Sequence, residues 1–377
     1  MTLKQLEEFF EKCKVNHLHG RYIYLDHISP LIDQLSSSLS IKIEGYSVNN
    51  NPIHSIQWGN GKTRILIWSQ MHGNESTTTK AIFDLFNALQ QHMFSEEFKG
   101  VQLMILPMLN PDGAQMYTRQ NANDIDLNRD AKDISQPESR ILRKAFDAFK
   151  PHYCFNMHGQ RTLYSAGPAP NSAVLSFLAP AADPERTVNQ SRKQSMAVIA
   201  EMKKQLTPLI PGQIALYNDA FNINCVGDTF QSHSTPSILF EAGHFPEDYN
   251  REVVRRLIFK AMAIAISFIS NSPHSTYDYE HYTEIPQNEE RFYDILIRNT
   301  SDADIGIRYK EILKDGKIEF IPEVTDMGIL DNKYGHKEIN ADQYSVLSLK
   351  KEPFKPGDEI DIVLINNEKF SLKLTDS

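Results

Sequence analysis

The chain has 377 residues, with 39 Lys and Arg against 48 Asp and Glu and a formal net charge of −9. It is 41% hydrophobic and 23% charged, the composition of a globular protein with a full core, which excludes wholesale disorder and a fibrous fold. The acidic balance, with a pI near 5.8, argues against nucleic acid or an anionic membrane as a partner.

The N-terminus reads MTLKQLEEFFEKCK, where charges interrupt any apolar run before a signal-peptide core could form, so a cytoplasmic protein is expected. The most apolar later stretch, Leu257 to Ile269, is broken by Lys260 and is shorter than the roughly 20 apolar residues of a membrane span. It predicts a buried helix. Cys13, Cys154 and Cys225 lie far apart with no CxxC pair. They read as core thiols, not as a disulfide framework or a cysteine-rich zinc site.

From residue 64 short apolar runs alternate with helical patterns, the signal of βαβ units around a sheet. The predicted strands are RILIWSQ (64–70), VQLMILP (101–107), HYCFNM (152–157) and SILF (237–240). Ile82, Leu85, Phe86 and Leu89 recur at helical spacing between the first two, as do Ile141, Leu142, Ala145, Phe146 and Phe149 before the third. Residues 271–291, polar and without periodicity, read as a linker. Beyond it FYDILIRN, IGIRYKEI, KIEFIP, QYSVLSLK and DIVLINN are short β-rich runs separated by turns such as KDGK, which predicts a small β-sandwich. The expected division is 1–275 for the main domain and 288–377 for the β domain.

Ligands of open α/β sheets bind beyond the carboxyl ends of the strands. Strand 64–70 runs into Met71-His72-Gly73-Asn74-Glu75, strand 152–157 into His158-Gly159-Gln160, and strand 237–240 into Glu241-Ala242-Gly243-His244. Strand 101–107 is followed by Asn110-Pro111-Asp112-Gly113 and then TRQNANDIDLNRD. Four strand ends thus converge on one polar site. His72 and Glu75, three apart at a strand-to-helix junction, can reach one ion together with His158. Two His and one Glu are a usual catalytic zinc set and suit zinc better than magnesium or calcium. Taken alone, HGNE reads equally as a helix N-terminus whose Glu complements the dipole. Asp126-Leu127-Asn128-Arg129, with Arg119 nearby, supplies guanidinium groups suited to gripping a carboxylate or holding an oxyanion. In isolation it could also be a surface salt-bridge loop.

These motifs in this order, from GYSVNNNPIHSIQWGNG through HGNE, NPDG, R-x-N-A and DLNR to a lone His at a strand end and a final FE, resemble the zinc metallocarboxypeptidases similar to carboxypeptidase A. The resemblance runs from about residue 40 to about residue 270. It implies a mixed, mostly parallel sheet flanked by helices, with the small all-β domain appended at the C-terminus. It also implies one zinc ion per chain, held by His72, Glu75 and His158. Glu241 matches the general base and acid, Arg119 the oxyanion arginine, and Asn128 and Arg129 the pair that grips a substrate's terminal carboxylate. Asp126 matches the carboxylate that orients a zinc histidine, and Tyr217 is the best match to a tyrosine that folds over substrate. Gly227, just before Asp228, falls where the family's side-chain pocket is set, which points to an apolar or roomy pocket. His233 and His244 read as structural or substrate-contacting, and Arg161 as a substrate contact or a surface residue.

The activity implied is removal of a C-terminal residue from a peptide or peptide-like substrate carrying a free carboxylate. A zinc amidase or deacylase acting on an acyl-amino acid or cell-wall peptide is the alternative on the same scaffold. A binding module without catalysis is a third reading, opposed by the full set of ligand and base residues. No membrane partner is expected, the oligomeric state is open, and no inhibitory pro-segment is evident in the roughly 40 residues ahead of the first motif.

Overall fold

The computed structural model describes residues 1–271 and 278–374. The chain divides into two compact units, one of residues 1–160 and 173–288, the other of 161–172 and 289–377.

In the first unit, α1 (Leu3–Cys13) starts on a capping box in which Thr2 and Gln5 satisfy each other's backbone. It is followed by α2 (Leu25–Asp33), then β1 (Ser40–Tyr46) and β2 (Pro52–Trp58), an antiparallel pair. Next come β3 (Thr63–Ser69), α3 (Thr77–Gln90), β4 (Val101–Leu106), α4 (Pro111–Met116), α5 (Pro137–Phe149) and β5 (Tyr153–Gly159). β6 (Tyr164–Ala166) belongs to the second unit. The first unit resumes with β7 (Leu175–Leu178), α6 (Gln190–Leu206), β8 (Ile214–Leu216), α7 (Val226–Ser232), β9 (Ser237–Ala242) and α8 (Glu252–Asn271).

One eight-stranded sheet runs β1-β2-β4-β3-β5-β9-β7-β8. Its centre, β4-β3-β5-β9, is parallel, while β1, β2 and the β7–β9 pairing are antiparallel. The sheet is therefore mixed. Because strand side chains alternate, Ile65, Ile67, Phe155, Met157, Ile238 and Phe240 enter one core with α1, α3, α6 and α8. Leu66, Trp68 and Cys154 enter another with residues of α5 and α7. His158 shares its parity with Cys154, so it faces the α7 side.

The expected strands match β3, β4, β5 and β9 to within one or two residues, and the expected helices are α3 and α5. The apolar stretch Leu257 to Ile269 lies in α8 with nearly every residue buried. Among the described residues no helix is long and apolar enough to cross a membrane. The expected linker differs. Its residues 272–277 lie outside the described set, but Tyr282 and Ile285 are buried in the first unit's core. Tyr282 Oη accepts a hydrogen bond from Ala179 N–H at 3.2 Å. Two anchoring apolar residues in a polar stretch carry no periodicity, so the pattern hid them.

In the second unit β6 pairs with β10 (Asn288–Glu290). The strands β11 (Phe292–Arg298), β12 (Asp304–Lys314), β13 (Lys317–Gly328) and β14 (Tyr334–Asn340) form a sheet in the order β13-β12-β11-β14. A second sheet holds β15 (Val346–Leu347), β16 (Ile362–Ile365) and β17 (Glu368–Ser371). Both sheets contribute to one apolar cluster that includes Ile295, Ile297, Val324, Val346 and Val363. The KDGK turn joins β12 to β13 with Asp315 at φ 49° and Gly316 at φ 75°, the two left-handed residues of a tight hairpin. Residues 161–172 leave the first unit directly after β5, an excursion that no compositional signal marked.

Candidate metal centre and active site

β3 ends at Ser69, and the chain turns through Gln70, at φ 49°, to place His72 and Glu75 ahead of α3. His72 Nδ1 lies 2.8 Å from Glu75 Oε1, His158 Nδ1 lies 2.8 Å from Glu75 Oε2, and the two Nδ1 atoms are 3.1 Å apart. Among the described residues these three are the group of His, Cys, Asp and Glu able to hold one metal ion. Two ring nitrogens face each other across a carboxylate, and nitrogen and oxygen ligands about 2.0–2.2 Å from a shared zinc would be separated by distances of this order. The donor set and its spacing fit zinc. His158 Nε2 is buried without a hydrogen-bond partner, which leaves that ring held from its Nδ1 side.

The protein's own charges divide the two histidines. Both are buried, which works against the imidazolium, but Glu75 and Asp126 together outweigh burial at His72 and raise its pKa. At His158 burial wins and the pKa falls. Burial alone would raise Glu75, yet the two histidines hold its carboxyl well below the usual range. Asp126 Oδ1 lies 3.0 Å from His72 Nε2 and its Oδ2 accepts from Arg119 Nε at 3.0 Å. Asp126 thereby fixes the orientation of the His72 ring, the role such a carboxylate takes at a metal site.

Glu241 stands beside His158 in the parallel β5–β9 register. It is 8% exposed. Burial, and then the charge of Glu75, push its pKa well up, with Arg119 pulling partly against them. Arg119 Nη1 is 3.6 Å from Glu75 Oε1. The remaining pair lies beside α7, where Asn128 Oδ1 accepts from Val226 N–H at 3.0 Å and Arg129 Nη1 is 3.1 Å from Cys225 Sγ. Cys13 and Cys154 are buried, whereas Cys225 is half-buried against this guanidinium.

The motifs without a chemical role hold the loops in place. Asn110 Oδ1 caps α4 through Gly113 N–H at 2.8 Å, and its Nδ2 donates to Met71 O and Gln120 O, each at 3.1 Å. Asp112 accepts from Ser47 Oγ, Asn49 N–H and Asn51 Nδ2, which ties the β1–β2 turn to the site. Asn121 joins Gln136 to Glu138. A Cβ on Gly73 would come within 1.9 Å of the Gly113 carbonyl carbon, so the HGNE loop can approach NPDG only as glycine. Gly73→Ala should therefore cost at least about 1–3 kcal/mol and weaken zinc retention, measured by thermal unfolding with and without metal.

The other expected positions lie on separate elements. Tyr217 is half-buried immediately after β8, and its N–H donates to Phe177 O. β8 runs parallel to β7 and β7 antiparallel to β9, so the chain at Tyr217 is heading away from the end of β9 that bears Glu241. The loop climbs back only later, where Asn224 O accepts from Ala131 N–H. His233 closes α7 with its ring 6.2 Å from that of Phe146. His244 is buried with its ring against Tyr249, and Arg161 is exposed in the second unit.

The structure adds Asn156, two residues before His158 on the same face of β5 and 2% exposed. Its Oδ1 is buried without a hydrogen-bond partner, and its Nδ2 lies 3.9 Å from where a Gly227 Cβ would stand. The wall expected to be apolar or roomy thus carries a buried amide. Asp228, the next residue of α7, is also buried, and that burial raises its pKa to about 6. The period-2 pattern of β5 is the signal that could have found Asn156.

Residues 23–205 match the zinc carboxypeptidase family model. A carboxypeptidase 2 from Trichophyton rubrum is 28% identical over 99 residues, 26% of this chain and 18% of that protein. Carboxypeptidase SOL1 from Arabidopsis thaliana is 31% identical over 87 residues, 19% of this chain and 18% of that one. The chain thus spans about a fifth of the length of these curated relatives. Among solved structures, carboxypeptidase A from Helicoverpa armigera shares the fold with a TM-score of 0.55 at 13% identity, covering 71% of this chain and 80% of that chain. A metallo-carboxypeptidase from Pseudomonas aeruginosa does so with a TM-score of 0.52 at 13% identity, covering 65% and 68%.

Proposed function

We propose that this chain, whose residues 23–205 match the zinc carboxypeptidase family model, is a member of that family and removes single residues from the C-terminus of peptides or peptide-like amides. The observation that carries the reading is the facing pair of Nδ1 atoms, 3.1 Å apart and bridged by Glu75, with Glu241 beside His158 in register.

His72, Glu75 and His158 would hold the ion. Zinc, when bound there, supplies a Lewis acid for the scissile carbonyl and lowers the pKa of water to about 7. Glu241, buried and raised in pKa, accepts the proton of the attacking water at its carboxylate and returns it to the leaving amine. Arg119, oriented by Asp126, presents a guanidinium where negative charge develops on the carbonyl oxygen. Arg129 and Asn128 take the terminal carboxylate. Val226 N–H occupies the Asn128 amide oxygen, which turns the NH2 group toward an incoming anion.

A carboxylate grip of this kind makes the reaction exopeptidic by geometry. Charge-assisted hydrogen bonds contribute about 1.5–3 kcal/mol each. Arg129→Ala should accordingly lower kcat/KM on free-acid peptides by about 10²-fold, and wild-type protein should discriminate against C-terminal amides by a similar factor. Equal turnover of acid and amide substrates would overturn the assignment. The amidase alternative rests on the shared ligand set and has no further observation in its favour.

A further inference from the structure

The residues ahead of β1 form an arm whose backbone is held by one stripe of α3. Asn87 Nδ2 donates to Cys13 O at 3.0 Å, and Asp84 Oδ1 accepts from Val15 N–H at 2.8 Å. Lys80 Nζ donates to Gly20 O at 2.7 Å, and Ser76 Oγ donates to Arg21 O at 2.5 Å. Positions 76, 80, 84 and 87 are spaced four, four and three, one line along a helix. The arm therefore runs antiparallel to α3 and arrives, at its residues 20–23, beside the loop that bears His72 and Glu75.

At that end Gln70 takes over. Its Nε2 donates to Ile23 O at 2.7 Å and to Gly73 O at 2.8 Å, and its Oε1 accepts from Thr79 Oγ1 at 2.9 Å. One fully buried amide thus holds a carbonyl of the arm and a carbonyl of the metal-ligand loop at once. It does so at φ 49°, a conformation uncommon for a residue other than glycine. Tyr22 Oη donates to Gln115 O in α4, and Arg255 from α8 donates to Val15 O and Leu18 O. An apolar stripe would bury the arm equally well but would leave its register free. Side chain-to-backbone bonds fix that register atom by atom.

We propose that the segment Gly20–Ile23 is a strap that positions the His72–Glu75 loop for metal binding, with Gln70 and Ser76 as its positioning residues. The proposal rests on the metal reading of the site. Removing either side chain takes a donor from a carbonyl of the arm and frees the loop between residues 70 and 76. Because coupling between two sites is reciprocal, an ion that fixes His72 and Glu75 also fixes the strap.

The test is zinc affinity of the full chain, measured by competition with a chromophoric chelator, for wild type, Gln70→Ala, Ser76→Ala and Asn87→Ala. Outer partners of metal ligands typically contribute about 10–100-fold to affinity, and that loss is expected for Gln70→Ala, with a smaller loss in the same direction for Ser76→Ala. Asn87→Ala removes a bond from the same stripe 12 residues beyond Glu75 and should lower stability with zinc affinity within about twofold of wild type. Ser76→Ala deletes one hydroxyl and provides the folded variant if Gln70→Ala fails to accumulate. Hydrogen exchange of wild type should also slow at residues 20–24 on zinc addition. Wild-type zinc binding with unchanged affinity in Ser76→Ala and Gln70→Ala, or zinc-independent exchange at residues 20–24, overturns the strap alone. A wild-type protein that binds no zinc overturns the metal reading and the strap with it.

Discussion

Glu241→Gln should lower turnover by about 10²–10⁴-fold while zinc affinity stays within a factor of a few. The substitution keeps the shape of the side chain and removes the carboxylate proposed to accept a proton. Glu241 is separate from the three residues whose ligand atoms cluster, so metal retention does not depend on it. Its place is beside His158 on neighbouring parallel strands, next to the proposed metal site, and burial together with the charge of Glu75 gives it a carboxyl that holds a proton more readily than an ordinary glutamate. Steady-state kinetics on a peptide, with zinc content measured on the same sample, checks both halves of the expectation. A variant that loses zinc as well as activity would make Glu241 part of the metal site.

The second large effect is on stability. Arg255 and Asp84 are fully buried, and the guanidinium bonds Asp84 at 2.6 and 2.7 Å, Glu252 at 3.2 Å, Val15 O at 2.9 Å and Leu18 O at 2.5 Å. Burial already pushes the Asp84 carboxyl upward even with its partner in place. Arg255→Met removes that partner, leaves the buried Asp84 carboxylate with Val15 N–H as its remaining donor, and takes a donor from Val15 O and from Leu18 O. Breaking a buried pair in this way costs about 3–5 kcal/mol. Urea unfolding should report that loss, and protease should reach residues 13–20 in the variant first. Adding Asp84→Leu should recover part of the loss, because two apolar residues leave no uncompensated charge. A single variant with wild-type stability would show that the arm is held chiefly by its apolar contacts.

Much of the site is visible in the sequence because its polar residues gather at strand ends. β3, β5 and β9 are apolar runs, and the residues that break each run are His72 with Glu75, His158, and Glu241. The strand order that makes them neighbours is not visible, since no local pattern says that β9 lies beside β5 or that β7 runs against it. That is why Tyr217, close to Glu241 in sequence, lies on a chain heading toward the other end of the sheet. Asn156 escaped for a different reason. A polar residue in a strand reads as a solvent position, and only the packing of α7 on β5 shows that this one is buried. The arm was equally silent, because its hold on α3 is made through backbone atoms, which leave no mark on the arm's own sequence.

The most direct test is the product spectrum. Zinc-loaded protein is incubated with peptides that end in a free carboxylate, with their C-terminal amides and with N-acyl amino acids, and the products are weighed by mass spectrometry with and without a chelator. The account predicts chelator-sensitive loss of single residues from the free-acid peptides and little from the amides. Cleavage at internal bonds, or release only from the acyl conjugates, would contradict it.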